Sequence, residues 1–73
     1  MVNKILKMAT TLNTKEELEK FEDELVAANE ARYYFLASYY VKNLNIPKIS
    51  EKILATNDKR YIGFYFRQIV SID

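Results

Sequence analysis

Cysteine, histidine and tryptophan are absent from this 73-residue chain, and glycine and proline occur once each. Without cysteine there is no disulfide, no thiolate metal ligand and no thiol nucleophile. Without histidine the commonest general base and the commonest metal ligand are missing. A single Gly63 cannot build a glycine-rich phosphate cradle. So few loop-making residues argue for helices joined by tight turns rather than a β-sandwich. Long hydrophobic runs are also lacking. No stretch approaches the ~20 apolar residues that span a bilayer. The N-terminal apolar run is broken by Lys7 and is too short for a signal-peptide core. The expectation is a soluble, cytoplasmic chain.

What is present is an apolar fraction of 49%, enough for a core in one small domain. A chain this short buries only about 60% of its unfolded surface, so dense packing or a partner has to supplement that core. Net charge is +1, but it is segregated. Residues 14–30 hold Glu16, Glu17, Glu19, Glu22, Asp23, Glu24 and Glu30 against Lys15 and Lys20, while residues 31–73 are basic. One helix is therefore acidic and the rest of the chain is basic.

The pattern along the chain predicts an all-α fold. A short helix is expected over 2–11, with Val2, Ile5, Leu6 and Ala9 on one side. Thr14-Lys15-Glu16-Glu17 reads as a capping box. It opens a helix with an apolar stripe of Leu18, Phe21, Leu25 and Ala28 and a charged opposite face, ending at Asn29. A second helix, about 30–43, is apolar or aromatic nearly all round, which marks a central element. A buried strand is the competing reading, and length favours helix. Its small Ala37 and Ser38 allow a close neighbour. Pro47 suits the first position of a third helix running to about Thr56, with Ile49, Ile53 and Leu54 facing inward. Asn57 or Thr56 caps a fourth helix over 58–70, whose apolar positions are Tyr61, Phe64, Tyr65 and Ile69, with Ile62 and Phe66 adjoining. Gly63 inside that helix costs about 1 kcal/mol relative to Ala, which a close neighbour would rationalise.

The chain also half repeats itself. Phe21–Asn45 can be laid over Ile49–Asp73 without a gap, which places Ala27, Asn29, Arg32 and Tyr33 on Ala55, Asn57, Arg60 and Tyr61. A fixed period of this length marks stacked helical repeats, which supply binding surfaces more often than catalytic sites. The division read from it is an N-terminal segment (1–13), a first repeat (14–45) and a second (46–73), built as two stacked antiparallel helical hairpins.

The stretch KNLNIPKISEKILATNDKRYIGFYFRQI resembles a unit of the tandem helical repeats of bacteriophage and mobile-element proteins. Ile46, Ile49, Ile53 and Leu54 occupy its first helix, Asn57-Asp58 its turn, and Arg60, Tyr61, Phe64 and Phe66 its second. An earlier unit matches through Leu25, Val26, Asn29-Glu30 and Arg32-Tyr33. The resemblance covers about residues 16–72. It departs from the pattern at Gly63 and at Phe66-Arg67-Gln68. It implies a stacked helix-turn-helix build and a phage or mobile-element origin, and it brings no functional residue.

The candidate sites follow from chemistry. Glu16, Glu19 and Asp23 share the outer face of a capped helix, where carboxylates are solvated rather than catalytic. Nothing has the spacing of a cation-binding loop. The expectation is a non-enzymatic protein without metal or cofactor. Tyr33 and Tyr61 recur at equivalent positions and read as core. Tyr39, Tyr40 and Tyr65 are hard to bury together, and Tyr is enriched at protein-binding hot spots. Arg32 and Arg60 recur near helix starts, where they can hold the turn. The surfaces expected to bind protein are the acidic face (Glu16, Glu19, Asp23) and the aromatic-basic surface of the last helix (Arg60, Tyr65, Arg67), with Tyr39 and Tyr40 as further interface candidates. The function expected is binding, as an inhibitor or modulator of a host protein or defence system. Ile69, Val70 and Ile72 close the chain without a covering repeat, so a second copy or a partner is expected there. The alternative is a nucleic-acid accessory factor using Lys48, Lys52, Lys59, Arg60 and Arg67. Its basic patch is thin, since such affinity grows with the number of phosphate contacts.

Overall fold

The computed structural model describes residues 1–70. Among them are α1 (Val2–Thr10), α2 (Lys15–Ala28), α3 (Ala31–Tyr40), α4 (Ile46–Ala55) and α5 (Lys59–Tyr65), the last running into a π-helical turn, Phe66–Val70. There is no strand among the described residues, so the expected all-α class holds. No helix of the described residues is long and apolar enough to cross a membrane. The radius of gyration is 11.4 Å, close to the roughly 11 Å of a fully packed chain of this length.

Local chemistry sets the boundaries. At the start of α2 the Thr14 hydroxyl accepts the Glu17 N–H at 3.1 Å, and the Glu17 carboxylate accepts the Thr14 N–H at 2.9 Å. Both halves of the capping box are present. Asn45 caps α4 by accepting the Lys48 N–H, and Asp58 caps α5 by accepting the Tyr61 N–H. Three joints turn through the left-handed region, and each uses an asparagine: Asn29 (φ 48°), Asn43 (φ 67°) and Asn57 (φ 60°). Asparagine tolerates that conformation better than other residues with a Cβ.

The expected central helix is α3. It packs against α1, α2, α4, α5 and the π-helical turn. Its Ala31, Tyr34 and Ala37 are buried among Leu18, Phe21 and Leu25 of α2, Ile49 and Ile53 of α4, and Tyr65 of α5. Ile5 and Met8 bring α1 onto the same core.

Several expectations give way. α3 ends at Tyr40, because Val41 already has extended backbone. Pro47 is the second helical residue rather than the first, following Ile46. Leu54 does not face inward but is half exposed, since α4 buries only the narrow stripe of Ile49 and Ile53. Ala28 is exposed, and on α1 Met8 is buried while Val2 and Leu6 are exposed. A Cβ on Gly63 would meet nothing within 4 Å, so no close neighbour accounts for this glycine. Ile69 and Val70 are half-buried against the core. Ile72, expected beside them, lies outside the described residues.

Candidate protein-binding surface

Tyr65, expected on the binding surface, is fully buried. Its hydroxyl lies 2.7 Å from Ser50 Oγ on α4 and donates to the Ile46 carbonyl at 3.2 Å. The side chain therefore ties α5 to α4 from inside. Burial pushes its phenol above the ordinary 10.0, opposed by the hydrogen bond with Ser50. Tyr34 is raised by burial alone, and its hydroxyl donates to Asn29 Oδ1 at 3.3 Å.

Tyr39 and Tyr40, at the end of α3, are 56% and 50% exposed. They belong to a continuous surface of rings that crosses from α3 to α5. Phe35 is its centre, with ring centroids 6.0 Å from Tyr39, 6.3 Å from Tyr61 and 6.1 Å from Phe64. Tyr61 and Phe64 meet edge to face at 6.0 Å, and Tyr39 and Tyr40 do so at 4.9 Å. These are favourable aromatic geometries that hold the rings in place. Phe64 is 41% exposed, while Phe35 and Tyr61 are half-buried beneath.

Two grooves bound this patch. One is lined by Asn29, Glu30, Arg32, Asp58 and Tyr61. The other is lined by Ser38, Tyr39, Lys42, Leu44, Gln68 and Ile69. The first holds the starts of α3 and α5, and the second lies at their ends. The two helices therefore run in the same direction beneath the rings. Arg32 sits 4.7 Å over the Tyr33 ring, donates to the Tyr33 hydroxyl at 2.9 Å and approaches Glu30 at 3.9 Å. That fixes an otherwise mobile side chain.

The acidic face lies on α2. Glu16, Glu19 and Asp23 are exposed, and Asp23 approaches Lys48 Nζ at 3.8 Å. Glu22 is not part of that solvated face. It is buried, accepts the Asn45 N–H at 2.9 Å and lies 3.6 Å from Lys48 Nζ. Glu17 is held below its ordinary 4.5, first by the backbone hydrogen bond from Thr14 and then by the Thr14 hydroxyl. Arg60 and Arg67 are exposed.

Of the expected site residues, Tyr39 and Tyr40 thus come together, Glu16, Glu19 and Asp23 sit apart on α2, and Tyr65 is excluded by burial. The patch also contains Phe35, Tyr61 and Phe64, which the sequence reading missed as surface. The signal was available in aromatic pairs at helical spacing, Phe35 with Tyr39 and Tyr61 with Phe64, on two elements. No group of three or more acidic residues among the described residues converges to hold a metal ion. Comparison with protein-family models, curated proteins and solved structures found no match.

Proposed function

We propose that this chain is a non-enzymatic protein-binding module whose recognition surface is the ring patch of α3 and α5. The observation that carries this is the continuity of Phe35, Tyr39, Tyr40, Tyr61 and Phe64 across two helices, with three of the five rings about half exposed. Contiguous apolar patches of this kind mark interaction sites. Rigid aromatic anchors supply most of the affinity at such sites.

The stacked-repeat reading belongs to the same proposal. Several positions related by the repeat share their environments, since Phe21 and Ile49, Leu25 and Ile53, and Ala37 and Tyr65 are all buried and Asn29 and Asn57 are both left-handed, whereas buried Ala31 falls on exposed Lys59. With the resemblance to phage and mobile-element repeats, this supports a modulator or inhibitor acting on a host protein in the cytoplasm. The nucleic-acid reading loses support because Lys48, one of its five cations, is engaged by Glu22 and Asp23.

The test is capture from nuclease-treated bacterial lysate with the wild-type chain and a Tyr39→Ala/Phe64→Ala variant, alongside light scattering of both. Association with a protein, whether of the host or a second copy, is expected in wild type and lost in the variant. Equal behaviour of the two chains would remove the patch from consideration. Binding to nucleic acid that collapses with salt, and on charge reversal of Arg60 and Arg67, would instead establish the alternative.

A further inference from the structure

Cations surround the ring patch. α3, α5 and the residues that flank them (30–42 and 58–70) carry Arg32, Lys42, Lys59, Arg60 and Arg67 against two carboxylates, Glu30 and Asp58. Both carboxylates are engaged. Glu30 approaches Arg32 at 3.9 Å, and Asp58 caps α5 through the Tyr61 N–H. Lys42, Lys59, Arg60 and Arg67 are exposed, and none of them makes an ion pair among the described residues. The helices place these cations beside the rings. Arg60 stands one turn before Phe64 on the same face of α5. Arg67 follows Phe64 by three positions. Lys42 lines the groove that Tyr39 also lines. Positive charge therefore flanks the exposed rings at both ends.

We propose that the occupant of this patch is a short acidic segment of another protein. Its apolar or aromatic side chains sit on Tyr39, Tyr40 and Phe64, and aspartates or glutamates on either side reach Lys42, Arg60 and Arg67. This rests on the reading of the patch as a protein-binding surface and assigns the chemistry of its partner. The rings anchor the segment, while the cations at the rim steer its approach and fix its direction. Arginine suits that rim, because its planar guanidinium takes a carboxylate through two parallel hydrogen bonds. A basic segment would set like charges together at both ends of the patch. Each ring offers about 150–250 Å², so three half-exposed rings give roughly 300 Å². That is well below the about 800 Å² per partner of a standard interface between folded proteins, and it matches a segment rather than a domain.

A single-stranded nucleic acid shares the negative charge, and the geometry disfavours it. Successive bases stack on open ring faces along a track of cations. Here neighbouring rings are tilted by 41° to 79° and cover part of each other's faces. Glu30 and Asp58 line the groove at the starts of α3 and α5, which interrupts a continuous phosphate path. A protein segment carries its carboxylates at separate points and leaves that groove empty.

Selection of a yeast-displayed library of random peptides on the full chain tests this, because the surface then chooses its own ligand chemistry. The selected peptides should combine aromatic or leucine side chains with several aspartates or glutamates. Made synthetically, they should bind wild type and lose binding to Tyr39→Ala/Phe64→Ala. They should bind Arg60→Glu/Arg67→Glu about tenfold or more weakly, with helix content unchanged in that variant. Exchanging their acids for lysines should reverse the preference, so that the charge variant binds better than wild type. Selection of neutral or basic peptides, selection of none, or acidic peptides indifferent to Arg60→Glu/Arg67→Glu overturns the proposal. If neutral or basic peptides still require Tyr39 and Phe64, the binding-module reading stands and only the acidic partner falls. Peptides that bind Tyr39→Ala/Phe64→Ala as well as wild type remove both. Labelled oligothymidylate that binds more tightly than the peptides, with a steep loss in salt, would make nucleic acid the occupant and equally overturns the proposal.

Discussion

The buried carboxylate of Glu22 accepts the backbone N–H of Asn45, the residue whose own side chain caps α4. One acid of α2 thereby fixes where the second half of the chain begins. Lys48 lies 3.6 Å away and partly balances the buried charge. Glu22→Ala would leave that N–H without its partner, and a loss of about 2 kcal/mol is expected in urea unfolding. Glu22→Gln retains an acceptor oxygen and should cost about half as much. Equal losses for the two variants would show that the N–H contact is not what stabilises the joint.

Tyr65→Phe removes a hydroxyl shared between Ser50 and Ile46 and should cost about 1–2 kcal/mol, whereas Tyr39→Phe on the exposed patch should be close to neutral. The alkaline response should distinguish them further. Burial raises the phenols of Tyr65 and Tyr34 above 10.0, so their contribution is intact below that value and is lost as pH climbs beyond it. Melting temperature should fall less steeply above about pH 10 in Tyr65→Phe than in wild type.

Gly63→Ala should stabilise the protein. The position is helical and a methyl group there meets nothing within 4 Å. The expected gain is about 1 kcal/mol, or a rise in melting temperature of about 4–8 °C for a domain this small. No rise, or a fall, would mean that the glycine serves an assembly that the single chain does not contain.

The capping box gives an acid-side prediction. Glu17 is held below 4.5, so its contribution is present above that value and is lost as pH falls through the lowered one. Far-ultraviolet circular dichroism should show helix loss on acidification that is reduced in Glu17→Gln, where an amide oxygen can still accept the Thr14 N–H. Thr14→Ala should cost about 1 kcal/mol near neutral pH. An unchanged acid profile in Glu17→Gln would assign the transition to other carboxylates.

Asn57→Ala forces a side chain with no compensating polarity into left-handed backbone and should cost about 1 kcal/mol, while Asn57→Gly should be tolerated. Thermal denaturation of the two variants reads the difference directly. Equal stability of the two would show that the joint relaxes out of its positive φ.

Much of the helical frame was legible in the residues because its determinants are local. Thr14 and Glu17 are three positions apart, Asn29 ends the helix it was expected to end, and the all-round apolarity of α3 marked it as central. What was not legible depended on distant partners. Tyr65 looked like a surface ring because α5 has apolar residues on every side, and periodicity cannot choose among them. Ser50 and Ile46, which draw its hydroxyl inward, lie on another helix. Glu22 is one of seven acids in the same short stretch, and nothing local sets it apart. Its partner, Asn45, is 23 residues away. Leu54 looked buried because it adjoins Ile53, yet neighbouring positions on a helix point about 100° apart, and α4 is covered on one side only.

Every other helix leans on α3, which stands at the centre of the shared core. The amides of α3 should therefore exchange with solvent only through global opening, and cleavage in the turn after Tyr40 should release two fragments that are both unstructured. The same helix carries Phe35, Tyr39 and Tyr40. The ring surface is thus mounted on the last element to open, and it meets whatever binds it already shaped, with little ordering left to do on contact.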